Sequence, residues 1–248
     1  MGDTERMLVT YSLGGGDTMT AETARQFPRQ PLQFPIRYLA TGADSTHLQT
    51  GWTRDLSEGG VALELNERLP PATRLRVWLF TERGSLAVEG QVVWEVSPPQ
   101  PSGGVLHGVA FTALSPEQVE ELRRLTSPEE AGRRAAPRFP IQHPITCRLQ
   151  AGPVDGETAN VSRGGLLLRM TLALPLGTTI AFSLPTPQGA ITGTGEVDWM
   201  EPPEGHGPGE PIRHGFRFTA MGWADACALA VLVTDPHEVT PPPDAPTH

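Results

Sequence analysis

The chain repeats itself, and that duplication limits the fold more tightly than any other feature of its 248 residues. The stretch RQFPRQPLQFPI at 25–36 returns as RAAPRFPIQHPI at 134–145, and RDLSEGGVAL at 54–63 returns as ANVSRGGLLL at 159–168. Further on, Leu69-Pro70, Gly84, Gly90 and Trp94 are matched by Leu174-Pro175, Gly189, Gly195 and Trp199. HGVAFTA at 107–113 is matched by HGFRFTA at 214–220. Five blocks in one order require two structural units, each about 105 residues long, an ordinary size for a domain that folds alone. The expected boundaries are 21–127 for the first unit and 128–236 for the second. Residues 1–20 and 237–248 are read as flexible tails from their Gly- and Pro-rich composition.

Within one unit the apolar residues alternate. Val61, Leu63 and Leu65 share a face, as do Leu75, Val77 and Leu79, and Ile180, Phe182 and Leu184 in the second copy. Val92 with Trp94 and Val109 with Phe111 extend the pattern, and the prolines before Ile36 suit the start of an edge strand. With 26 prolines and 27 glycines the chain favours short strands and many turns. The expected fold class is all-β with C-terminal helices: two tandem six-stranded antiparallel barrels, each followed by one α-helix. Ser115-Pro116-Glu117-Gln118 reads as a capping box that starts the first helix, with Val119, Leu122 and Leu125 on one face. The second helix, 224–233, is apolar nearly all round and is expected to be buried against its barrel, the other domain or another chain.

The net charge of −9 argues against a general nucleic-acid binder, whereas a small anionic ligand needs only a local basic site. All 19 basic residues are arginine, so spacing rather than residue type carries information. Arg25 and Arg29, and again Arg134 and Arg138, stand four apart on a proline-stiffened arm with no acid between them. Guanidinium forks suit phosphates and the guanine edge. The second element is a turn, Asp55-x-Ser57-x-x-Gly60, repeated as Asn160-x-Ser162-x-x-Gly165. A short carboxylate or amide there can accept from guanine N–H groups, and the hydroxyl can reach a phosphate or base. The paired glycines are expected to allow positive φ and close ligand approach.

These residues resemble the PilZ domain family, whose pattern is R-x-x-x-R followed by (D/N)-x-S-x-x-G. The pattern is met at Arg25, Arg29, Asp55, Ser57 and Gly60, and again at Arg134, Arg138, Asn160, Ser162 and Gly165. The resemblance spans about 210 residues and includes the G-x-V-x-W strands at 90–94 and 195–199. It implies a six-stranded barrel, non-enzymatic binding of cyclic di-GMP as monomer or intercalated dimer, and signalling by rearrangement. By that resemblance each arm wraps ligand against the face bearing the turn. The neutral Asn160 is expected to give the second site a different affinity. The second arm would double as the interdomain linker, so that ligand changes the arrangement of the domains.

Other readings stand beside this one. A protein-interaction scaffold with one or both nucleotide sites vestigial is the main alternative, motivated by the apolar final helix. An RNA-binding barrel lacks both a basic surplus and an aromatic platform. Trp94 and Trp199 are expected in the barrel core, and His107 and His214 in structural roles. Cys147 and Cys227 show no metal or disulfide spacing and are expected as buried thiols. The Gly15–Asp17 GGD in the tail is coincidental. No hydrolase elbow, P-loop or zinc motif occurs, no apolar run approaches a membrane span, and the N-terminus does not read as a signal peptide. The expectation is a cytoplasmic bacterial receptor with cyclic di-GMP as ligand, no cofactor, no catalysis, no membrane insertion, and a downstream protein partner of unknown identity.

Overall fold

The computed structural model describes residues 29–41, 48–96, 103–131, 136–207 and 209–234. The expected tails, the GGD at 15–17, Arg25 and Arg134 lie outside the described residues. Six strands form the first barrel: β1 (Pro35–Thr41), β2 (Gln49–Ser57), β3 (Gly60–Leu65), β4 (Arg74–Thr81), β5 (Gly84–Val96) and β6 (Val105–Ala113). Helices α1 (Pro116–Leu125) and the single turn α2 (Pro128–Ala131) follow. The second barrel comprises β7 (Pro144–Leu149), β8 (Gly152–Ser162), β9 (Gly165–Met170), β10 (Thr179–Thr186), β11 (Gly189–Met200) and β12 (Ile212–Ala220), and ends in α3 (Trp223–Thr234).

Both barrels close, in the orders β1-β2-β3-β6-β5-β4 and β7-β8-β9-β12-β11-β10. The sequence repeat is thus a repeat of topology, with every pair antiparallel. Closure leaves no edge strand, so Pro35 does not mark one. It stands at the first position of β1, where a ladder N–H can be spared. The alternating residues point inward as patterned: Val61, Leu63 and Leu65, and Ile180, Phe182 and Leu184, are all buried.

Helix α1 begins as its sequence dictates. Ser115 Oγ accepts from Gln118 N–H at 3.3 Å, Gln118 Oε1 accepts from Ser115 N–H, and Pro116 follows the cap. Gln118 Nε2 also donates to the Ala87 carbonyl, tying the helix start to β5.

Helix α3 lies between the barrels and packs on both. Against its own barrel its apolar face joins the second core, with Leu229, Ala230, Leu232 and Val233 buried there. Against the first barrel, the Ala226 carbonyl accepts from Trp52 Nε1 at 2.8 Å and Thr234 Oγ1 accepts from Arg37 Nε at 3.1 Å. Trp223 Nε1 donates to Asn66 Oδ1 at 3.3 Å. Trp52 is a residue of β2, yet it is 1 % exposed and belongs to the second core. The helix is apolar on every side because it has a barrel on more than one side.

His107 and His214 have identical structural roles. Each is fully buried, with Nδ1 donating to the carbonyl two residues back (Val105, 3.1 Å; Ile212, 3.0 Å). That bond fixes the tautomer, so Nε2 accepts from the Leu69 N–H at 3.0 Å and from the Leu174 N–H at 3.1 Å. Burial lowers the pKa of both. Cys147 is buried as expected, whereas Cys227 on α3 is only half-buried; burial pushes both thiols up to about 11.

Candidate nucleotide sites

Each barrel brings its arm onto its turn by the same two hydrogen bonds. In the first, Gln30 and Leu56 exchange N–H···O bonds of 2.9 Å each. In the second, Phe139 and Val161 do so at 2.8 and 2.9 Å. This antiparallel bridge sets Arg29 beside Asp55, and Arg138 beside the turn that contains Ser162. Arg29 Nη1 donates to Asp55 Oδ1 at 3.1 Å, so the first motif supplies its own counter-ion, which the acid-free arm did not reveal. Asn160 cannot form such a pair. The backbone N–H of Arg138 instead donates to Glu82 Oε1, 3.1 Å away in the first barrel.

The turns are two-residue hairpin loops: Ser57 faces Gly60 and Ser162 faces Gly165 across the ladder. Ser57 Oγ donates to the Gly60 carbonyl and Ser162 Oγ to the Gly165 carbonyl, both at 3.1 Å. With the hydroxyl proton engaged in the loop, each oxygen retains lone pairs for accepting. The glycine at the end of each motif is required for a reason other than the expected one. Neither Gly60 nor Gly165 has positive φ. A Cβ at Gly60 would stand 2.4 Å from the Val109 carbonyl oxygen, and at Gly165 it would stand 2.1 Å from that of Phe216. The neighbouring strand crosses too close for any side chain, which keeps the floor of the site flat.

A cleft of about 550 Å³ opens on the second barrel over this floor. Arg138, Ser162, Gly164 and Gly165 line it, together with Trp199 and Arg217. Asn160 lies beside it on β8, opposite Leu167, itself a lining residue.

Trp199 and Arg217 are residues that sequence reasoning missed or misplaced. Trp199 is 47 % exposed and Trp94 is half-buried, so neither is barrel core. The cause is a β-bulge at the same place in each barrel, between Val92 and Trp94 and between Val197 and Trp199. The extra residue breaks the two-residue alternation and turns the indole out of the interior. Trp94 then lies over Gly108, where a Cβ would meet its Nε1 at 2.0 Å; Trp199 stands further from Gly215, with its Cβ at 3.3 Å and its ring Cε3 at 3.6 Å, and lines the cleft. Arg217 was legible in principle: it falls between Phe216 and Phe218, which places it on the outer face of β12. Its guanidinium stands 3.3 Å from Glu196 and 3.7 Å from Asp198. The corresponding residues of the first barrel are Ala110, Gln91 and Val93, so this charged wall belongs to the second site alone.

Among the described residues no group of three His, Cys, Asp or Glu could hold a metal, and no helix is long and apolar enough to cross a membrane. The arrangement suits recognition of an anionic, planar ligand: guanidinium groups, hydroxyl and amide acceptors, and one aromatic face over a flat glycine floor.

The PilZ domain model matches the sequence twice, at residues 23–127 and 132–228. Among curated proteins no sequence matches. Solved structures with a similar course include PlzA of Borreliella burgdorferi in complex with c-di-GMP, at 11% identity and TM-score 0.39, covering 81% of this chain and 88% of that one. The Bacillus subtilis inhibitor of motility MotI/DgrA is 10% identical, with TM-score 0.33, 81% of this chain and 93% of that one covered. The K. pneumonia MrkH–c-di-GMP complex is 13% identical, with TM-score 0.32 and coverages of 78% and 82%. At that similarity they add nothing to the strand orders already described.

Proposed function

The chain belongs to the PilZ domain family, and from that premise we propose that it is a non-enzymatic bacterial receptor for cyclic di-GMP with one site on each barrel. The binding modules are residues 21–127 and 128–236. Arg25, Arg29, Asp55, Ser57 and Gly60 serve the first site, and Arg134, Arg138, Asn160, Ser162 and Gly165 the second. Trp199 and Arg217 join the second.

The observation that carries this reading is the matched bridge between arm and turn, Gln30 with Leu56 and Phe139 with Val161. It brings a guanidinium beside the Ser/Gly loop in both copies. A guanidinium can grip a phosphate bidentately, and a carboxylate or amide in the adjoining loop can accept from the guanine N1–H and N2–H₂ edge. In the first site ligand must compete with the Arg29–Asp55 pair. That pair is half-exposed and therefore weak, on the order of 0–1 kcal/mol, so a doubly charged ligand displaces it readily. In the second, the position of Asp55 holds the neutral Asn160, so that competing ion pair cannot form. The protein works in the cytoplasm, where binding alters how the two barrels sit together and a downstream protein reads the change.

The test is calorimetric titration of cyclic di-GMP into the whole chain and into the Arg25→Ala/Arg29→Ala and Arg134→Ala/Arg138→Ala double variants. Saturable heat from the whole chain, with each double variant losing one site, is the expected result. No heat and no competition would show the motifs to be relics and would leave the interaction scaffold as the reading to pursue.

A further inference from the structure

The turn of the second site is held from the far side by the first barrel. Arg163 stands between Ser162 and Gly164, both of which line the cleft, but its own side chain points the other way. Its guanidinium lies over the Trp52 ring, 5.4 Å from the centroid, and 3.9 Å from Glu64 Oε2. The side chain is 19 % exposed. Glu64 Oε2 is itself buried with no hydrogen bond, and is compensated by Arg163 and by Arg54, 3.5 Å away. Trp52 in turn is fixed by its bond to the Ala226 carbonyl.

The arm of the second site is held from the same barrel at another point. Glu82, in the turn between β4 and β5, accepts from the backbone N–H of Arg138 at 3.1 Å. Among the described residues the first site has no counterpart to either anchor. Glu58, at the position of Arg163, pairs with Arg123 of its own α1 at 3.4 Å, and Arg29 pairs with its own Asp55.

We infer that the second site is a composite of both barrels, in which Glu64, Trp52 and Glu82 of the first barrel act as positioning residues for the turn and arm of the second, while Arg29, Ser57 and Glu58 of the first site make their contacts within their own barrel. A two-residue hairpin loop has no slack, so a shift of Arg163 moves Ser162 and Gly164 with it. A half-enclosed guanidinium cannot leave its carboxylate and aromatic partners without cost. Ligand on the second turn and the packing of the two barrels are therefore one linked equilibrium. The linkage runs equally in both directions. Occupancy of the second site is the event that reports to the interdomain interface; occupancy of the first is not.

The inference rests on the receptor reading and is tested in a chain whose first site is silenced by Arg25→Ala/Arg29→Ala. Cyclic di-GMP is titrated calorimetrically into that chain and into the same chain carrying Glu64→Gln or Glu82→Ala. Both changes lie in the other barrel, and Glu82 sits in an exposed turn where truncation leaves the fold intact. Each is expected to weaken binding on the order of fivefold or more. Adding Glu64→Gln to Arg163→Met should have no further effect, because Glu64 acts through Arg163. Affinities within twofold of the parent for both variants overturn the coupling, as does heat from the whole chain that vanishes once the first site is silenced. Absence of heat from the unsubstituted chain refutes the receptor reading itself.

Discussion

Acidification should destabilise this protein through two buried imidazoles, and the second barrel more than the first. His107 and His214 are both 0 % exposed, and both accept a backbone N–H on Nε2, which only the neutral ring can do. Desolvation is the main cause of their lowered pKa. The unfolded chain, with imidazoles near the ordinary value of about 6.5, then takes up protons before the folded chain does. Stability is therefore complete above about pH 6.5 and falls as pH drops below it. For a ring that stays neutral in the fold the loss is at most about 1.36 kcal/mol per pH unit, which amounts to about 1.4 kcal/mol per histidine at pH 5.5. His107 should lose less. Glu95 Oε2 lies 4.0 Å from its Nε2, and that carboxylate, with Glu67, favours the charged ring. The corresponding positions in the second barrel are Met200 and Leu172. Urea unfolding followed by circular dichroism at pH 7.5 and 5.5 measures the effect. His214→Gln keeps an acceptor for the Leu174 N–H but cannot titrate, and should remove most of the pH dependence; His107→Gln should remove less. A pH dependence that survives in the double variant would refute the assignment.

Two further outcomes follow from the geometry. Gly165→Ala places a methyl 2.1 Å from the Phe216 carbonyl oxygen and should cost about 1–3 kcal/mol, whereas at Gly164 nothing lies within 4 Å and alanine should be tolerated; equal thermal midpoints for the two variants would contradict the close strand crossing. Trp199 opens on the second cleft, so its fluorescence should change when cyclic di-GMP binds and the change should shrink in Trp199→Phe; an undiminished change would mean that the indole stays clear of the ligand.

The scope of what sequence could reveal is set by the range of the interactions involved. Duplication, alternation and capping are local patterns, and they determined two six-strand barrels, the helix starting at Ser115 and the structural use of His107 and His214. The hairpin turns at Ser57–Gly60 and Ser162–Gly165 were legible for the same reason, since their residues are close in the chain. The bulges beside Trp94 and Trp199 were not, because one extra residue reverses the inward and outward faces and leaves no mark in composition. The need for glycine at positions 60 and 165 looked like a turn requirement, and only the path of β6 and β12 across them showed it to be a steric one.

Of what lies between the barrels, sequence indicated only that the apolar helix 224–233 would be covered, by its own barrel, the other domain or another chain. Nothing in the strand pattern distinguishes Trp52 from an ordinary barrel residue, and nothing in Ser162-Arg163-Gly164 says that the arginine faces away from the site. Those facts depend on which surfaces meet when α3 packs on both barrels. Residues more than 90 positions apart, such as Arg163 and Glu64, are brought together by that packing. The sequence determined two similar PilZ modules; the tertiary structure decided that they are not equivalent, because among the described residues it is the second whose turn and arm are anchored on the other barrel.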